Sequence, residues 1–319
     1  MKAAFPEWPL LAPWYRLVGD GDRLLLEHGQ SVVVLEGGAV RTLLPALLPI
    51  LDGTRTLADL SDRLGVAVRP AIELALELLA AHGLLVEGPD APREVRSAAH
   101  TVAAAYGLTP AVATERLAGA TVGVVGAAPA GAEIARLLHS SGIGDVLRLS
   151  WRGTDAVKSR AVDLAVVAPA VDEGDALPGW NRLALDRKIR WLAVRPYDGR
   201  LASVGPLVVP GESCCYECVL LRRGANVEYG GDLADIEAAP VAATADAGVD
   251  AFVIALAAHL VVRWVGGRDT TVPGVLHVVE TQPALSLSEH HVLRVPRCCA
   301  CSVAERLAPP LPWHAAEAA

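Results

Sequence analysis

Lysine is nearly absent from this chain, and so is any excess of positive charge. Three lysines occur in 319 residues (Lys2, Lys158 and Lys188), and 36 acidic residues outnumber 28 basic ones, for a formal net charge of −8. A nucleic acid or an anionic membrane needs a basic surface, so neither is expected as a partner, and peptides or proteins are. The scarcity of lysine beside abundant Ala, Arg, Gly and Pro reflects coding bias, not chemistry. Met1 to Leu10 lacks an apolar core segment, so it does not read as a secretory signal, and a cytoplasmic location is expected. Long apolar runs are missing too. Ala251 to Val265 is interrupted by His259 and Arg263 and falls short of the ~20 residues a bilayer requires, so it is expected to be a buried helix. Internal repeats and low-complexity tracts are absent, and Pro309 to Pro312 form an irregular end.

The length suits two domains with cores of their own, at roughly 100 to 200 residues each. From Pro13 to Gly88, three short strands are expected around 14–18, 23–26 and 32–35, separated by Asp20-Gly21 and His28-Gly29. The period then changes. Helical runs are expected over Val40 to Leu51, from Thr56 to Leu64, and over Pro70 to His82, the last ending at Gly83. Three strands followed by three helices predict a small α+β, winged-helix-like domain over 1–90, then a linker over 91–111 with a short helix within Ser97 to Tyr106.

Over 112–319 the pattern becomes α/β. Buried strands are expected at Thr121 to Val125, Asp145 to Leu149, Asp163 to Ala168 and Ile189 to Val194. Helices are expected at Ala132 to Ser140 and around Trp180 to Arg187. Alternation of strand and helix predicts a mostly parallel, Rossmann-type sheet.

All six cysteines fall in two clusters, Cys214-Cys215-Tyr-Glu-Cys218 and Cys298-Cys299-Ala-Cys301. Each holds a C-x-x-C. Two such knuckles offer four thiolates to a tetrahedral zinc, so Cys215, Cys218, Cys298 and Cys301 are the expected ligands. Four thiolates leave no position for water, which makes the zinc structural. Cys214 and Cys299 each adjoin a ligand and are read as bystanders. A redox dithiol is the competing interpretation.

A glycine turn, Gly123-Val-Val-Gly126-Ala-Ala128-Pro129-Ala-Gly131, follows a strand and opens a helix, the setting in which G-x-G-x-x-G cradles phosphate. Here Ala128 replaces the middle glycine and Pro129 removes an N–H. The next strand ends in Ser150-Trp151-Arg152 with no acid for a ribose hydroxyl. A Rossmann-type scaffold without nucleotide is expected, and ATP is not.

The run from Gly205 through Pro210-Gly-Glu-Ser-Cys-Cys-Tyr-Glu-Cys218 to Arg223, with Arg297-Cys-Cys-Ala-Cys301 downstream, resembles the ThiF-like partner proteins of azole- and thiopeptide-forming (RiPP) biosynthesis. The resemblance covers both halves, because Leu51-Asp52-Gly53-Thr-Arg-Thr56-Leu57 and the helix ending at Gly83 are similar to the PqqD-like leader-recognition module of that family. It implies a protein that binds the leader of a ribosomal precursor peptide and hands it to a YcaO-type cyclodehydratase, itself non-catalytic. A homodimer is one option it offers. Ubiquitin-activating and ThiF-type adenylating enzymes are related. An adenylating enzyme acting on a peptide carboxylate is therefore the alternative, with Lys158 and Arg160 as candidate ATP contacts.

An edge strand beside an apolar helix face can take up an extended peptide as an added strand. The expected contacts are Val32, Val33, Val34 and Leu35 on the strand, and Arg69, Glu73 and Leu76 on the helix. A winged helix could instead read DNA, but residues 1–88 hold eleven acidic and seven basic side chains, a balance of −4 that opposes phosphate. His259 is read as a core histidine, and Glu289-His290-His291 as an exposed loop. No catalytic residue is assigned.

Overall fold

The computed structural model describes residues 5–12, 15–20, 22–28, 31–88, 97–126, 129–149, 162–170, 173, 175–239 and 246–302. Ala128, Ser150 to Arg152, Lys158, Arg160 and Pro309 to Pro312 lie outside them. The chain divides into two compact units, Met1–Arg116 and Leu117–Ala319.

In the first unit, β2 (Arg16–Asp20), β3 (Arg23–His28) and β4 (Ser31–Glu36) form an antiparallel sheet in that order, so β4 is an edge. The apolar run after it does not make one helix. It breaks into α1 (Gly38–Thr42), α2 (Leu44–Leu47) and a 3-10 turn (Leu48–Ile50), because Pro45 and Pro49 cannot donate to the ladder. Helix α3 (Leu57–Leu64) starts on a reciprocal cap, with Thr56 accepting from the Asp59 amide while the Asp59 carboxylate accepts from the Thr56 amide. Helix α4 (Arg69–Ala81) buries Ile72, Ala75, Leu76 and Leu79, one face at helical spacing, and Gly83 beyond it is left-handed at φ 68°. These residues meet Leu26, Leu35, Leu47, Leu51 and Leu60 in one core. Two three-residue strands too short to read from sequence, β1 (Pro9–Leu11) and β5 (Leu85–Glu87), pair antiparallel.

Asp52 organises the turn into α3. Burial works against its charge, but hydrogen bonds from Thr54 and the Arg55 guanidinium outweigh it and hold the carboxyl down at about 2. Its folded pKa is depressed, so its stabilisation is present above the unfolded value near 3.9 and fades as pH falls toward 2. Asp52→Asn should cost on the order of 1–2 kcal/mol near neutral pH and nothing near pH 2, as urea melts at the two pH values would show.

Helices α5 (Ala98–Tyr106) and α6 (Pro110–Ala118) follow. The second unit is built on β6 (Thr121–Gly126), α7 (Ala130–Ser140), β7 (Asp145–Leu149), β8 (Leu164–Ala168), α8 (Ala176–Asp186), β9 (Trp191–Arg195), β10 (Leu201–Val208), α9 (Tyr216–Gly224), α10 (Leu233–Ala238), α11 (Ala247–Gly267), β11 (Val275–Glu280) and β12 (Ser286–His291). The sheet order is β12-β11-β10-β9-β8-β6-β7. It is mixed, not mostly parallel: β7, β6, β8 and β9 run parallel, whereas β9 to β12 pair antiparallel. For two of the three antiparallel pairs the reason is loop length. The connections β9–β10 and β11–β12 are too short for the crossover that parallel neighbours require. Within the parallel half, β6 and β8 are buried on both faces and read as continuous apolar runs, which is why those strands were legible.

Helix α11 packs on α7, β9 and β10. Its 21 residues exceed the stretch expected from sequence, and by length and composition it could cross a membrane. Here its Val253, Ile254, Ala257 and Val261 are buried within the unit. His259 is exposed on it rather than held in the core. His290 and His291 lie on strand β12, not in a loop.

Candidate metal centre

Both cysteine knuckles arise from local geometry that the sequence dictates. After β10, the Ser213 hydroxyl accepts from the Val209 amide and donates to the Cys214 carbonyl, closing a turn that delivers Cys215 to the extended N-cap of α9. Cys218 follows in the first helical turn, its amide bonded to the Cys215 carbonyl. The buried Asn181 of α8 accepts from the Tyr216 amide at 3.0 Å and pins this helix start. On the other arm, the Cys298 amide donates to Val295 and the Ser302 amide to Cys298.

The four expected ligands converge. Sulfur separations are 3.8 Å for Cys215–Cys218, 3.8 Å for Cys215–Cys298 and 3.6 Å for Cys218–Cys301, and all four sulfurs lie within 4.8 Å of one another. A tetrahedron with metal–sulfur bonds of ~2.3 Å has edges of about 3.8 Å, so the cluster can hold a metal ion. Cys215, Cys218 and Cys298 are buried in a core that includes Trp191, Tyr216 and Val208. Cys214 is buried in the same core but outside the cluster, it borders a cleft lined also by Trp264, Pro273 and Arg294, and burial pushes its thiol up to about 12, which keeps it neutral. Cys299 is exposed. Neither joins the cluster.

Protonation follows from the crowding. Cys218 is held well below the usual thiol range by the Cys215 thiol, which donates to it, and the Val295 amide also reaches its sulfur at 3.4 Å. Cys215 is pushed up by that same bond and by burial, and burial raises Cys301 to about 11. One thiolate is stable among its neighbours, whereas four require a cation. A metal entering must displace the remaining protons, so its affinity should rise with pH. Competition titrations at pH 6 and pH 8 should show tighter binding at the higher value, with proton release in weakly buffered solution.

Two arginines tie the arms together. Arg222, four residues after Cys218, donates to the Leu293 carbonyl at 2.7 Å and to that of Arg294. Arg294 reaches back to the carbonyls of Gly211 and Cys301, both at 2.8 Å. Sequence reasoning quoted Arg222 within a motif without giving it a role, and missed Arg294 and Asn181, because the backbone groups they bind are distant in the chain. Replacing Arg294 by Met removes a two-carbonyl clamp, and metal release to a chromogenic chelator should accelerate about tenfold, from one to two lost hydrogen bonds.

The glycine turn has a structural explanation. A Cβ at Gly126 would collide with the Ala168 carbonyl on the neighbouring β8, and one at Gly131 would come within 3.3 Å of the Gly126 carbonyl. Close strand packing demands glycine at 126, whether or not a phosphate binds, and leaves little room beyond a hydrogen at 131. The residues proposed for peptide contact divide. Val32 and Val34 are exposed on β4, at 52% and 46%, and Val33 is half-buried. Leu35 and Leu76 belong to the core, Leu76 because it sits on the buried stripe of α4, so neither side chain is available to a ligand. Arg69 and Glu73 form an ion pair on the outside of α4, beside exposed Leu74 and Leu78.

No family model and no curated protein sequence matches this chain. Solved structures do. The heterocyclase TruD superposes with a TM-score of 0.71 at 24% identity over 93% of this chain, and a heterocyclase in complex with substrate and cofactor at 0.68 and 24% over 92%. E. coli MccB, the microcin C7 biosynthetic enzyme, bound to AMPCPP and MccA, superposes at 0.67 and 16% over 92%. The fold is that of TruD and MccB. This chain spans 43% of TruD but 99% of MccB, so the TruD-like fold here corresponds to less than half of that heterocyclase.

Proposed function

We propose that this chain is a non-catalytic, ThiF-like presenting subunit in the heterocyclisation of a ribosomal precursor peptide. The observation that carries the reading is the match of nearly the whole chain to a part of TruD, a heterocyclase. In this reading the first unit is a winged-helix, PqqD-like domain that binds the leader along β4. The second is a Rossmann-type scaffold that docks a YcaO-type enzyme, the body that performs azoline formation with ATP. Thiopeptide-like products fit the motif resemblance. The protein works in the cytoplasm and self-associates.

The metal in this reading is a structural zinc on Cys215, Cys218, Cys298 and Cys301. The donor set fits it, since four thiolates favour a soft or borderline cation and complete its coordination, leaving no site for water. When bound, it clips two arms about 80 residues apart, a closure that is entropically costly otherwise.

Fluorescence titration of a labelled leader peptide against the full chain tests the reading. Saturable binding is expected, and none with any leader encoded beside a YcaO-type gene would overturn it. The adenylating alternative is favoured by one observation, the match to MccB along 99% of that enzyme in a structure with a nucleotide analogue. ATP–pyrophosphate exchange in the presence of the peptide separates the two: turnover supports adenylation, and a flat assay supports presentation.

A further inference from the structure

Among the described residues, β12 is one edge of the large sheet, with no strand paired on its outer side. The Val292 amide donates to the Gly274 carbonyl at 2.8 Å, and Ser288 and His290 stand opposite Val278 and Leu276. Antiparallel alternation therefore directs the backbone groups of even positions toward β11 and leaves those of Leu287, Glu289 and His291 facing outward. On side chains, Val275, His277 and Val279 of β11 are buried, and their cross-strand partners His291, Glu289 and Leu287 share that face. The 3.5 Å approach of Glu289 to His277 agrees with this placement. Leu287 and Leu293 are exposed at 47% and 69%.

We propose that two copies of this chain join through antiparallel pairing of β12 with β12, centred on His290, into one continuous sheet. This rests on the self-association proposed above and assigns it a surface. Centred there, Glu289 of each copy stands opposite His291 of the other, and Leu287 opposite Leu293, all on one face. The outward backbone groups of Glu289 and His291 then meet as a hydrogen-bonded pair. The imidazole can donate to the carboxylate whether neutral or charged.

Charge selects this register. The register centred on His290 forms two Glu289–His291 pairs, with His290 facing His290 on the other side of the sheet; sliding by one pair sets Glu289 against Glu289 in one direction and against Leu293 in the other, and loses both pairs. Slides by a single residue would set side chains of opposite faces against each other. Pairing β12 with itself closes as a two-fold dimer, whereas pairing it with the other edge, β7, would propagate without limit. The Leu293 carbonyl is already taken by Arg222, so the added ladder stops there.

Sedimentation of the full chain across a concentration series tests this, together with amide exchange measured by NMR. The expected result is a dimer whose formation slows exchange at Glu289 and His291 and leaves Ser288 and His290 unchanged. Glu289→Lys should weaken dimerisation about tenfold, through two lost pairs and their repulsion. Leu287→Lys, at an exposed position away from His277, should weaken it as well. The exchange Glu289→His with His291→Glu should restore it. A chain that stays monomeric at every concentration overturns both this interface and self-association. A dimer indifferent to both lysine variants, with no protection at Glu289 and His291, overturns the interface alone.

Discussion

Cys215→Ser is expected to abolish stoichiometric metal binding and to unfold much of the second unit. Cys215 makes two of the short sulfur contacts in the cluster and stands, fully buried, at the N-terminal boundary of α9. Structural zinc in small domains contributes on the order of 10 kcal/mol at neutral pH, against a typical total stability of about 5–15 kcal/mol. Even a fraction of that, lost together with the buried packing, exceeds what most domains can spare. Metal content by mass spectrometry and thermal melts of the full chain would show it, and a chelator should act in the same direction on the wild type. Cys299→Ser and Cys214→Ser should keep one metal per chain, because one thiol is exposed and the other lies outside the cluster. Full metal content in Cys215→Ser would refute the four-cysteine assignment.

The second large effect is expected at the edge of β4. Val32→Asp combined with Val34→Asp should weaken leader binding by about 100-fold, since an added strand loses two apolar contacts and meets two carboxylates. Both valines are exposed, so the melting temperature should change little. Fluorescence titration and a thermal melt on the same sample separate the two effects. Unaltered affinity would move the peptide elsewhere. Arg69→Glu offers a finer probe, because it breaks the ion pair with Glu73 on an exposed face and should change affinity only where the leader carries charge.

Several elements were legible because their signals are local. The spacing of Ile72, Leu76 and Leu79 marked α4, Thr56 marked the start of α3, and the apolar runs at Thr121 and Leu164 marked strands covered on both faces. Prolines at 45 and 49 were equally visible, and giving them their usual weight would have split the expected helix. The antiparallel half of the large sheet was hidden. Strand β12 alternates little and is exposed along almost its whole length, so it carries no burial pattern to read. Leu76 and Val34 look alike as apolar residues in short runs. The helical stripe places Leu76 in the core with Ile72 and Leu79, whereas the exposure of Val34 depends on which face of its sheet the core covers.

The metal site shows the same division. The spacing of two C-x-x-C knuckles singled out the four cysteines that converge, because a two-residue gap lets one turn present both sulfurs to one point. It also determined that a long segment must fold before the site exists. Only the tertiary structure decided which carbonyls Arg222 and Arg294 hold, and that Gly126 answers to the carbonyl of Ala168. Those are contacts between residues far apart in the chain, and sequence spacing carries no information about them.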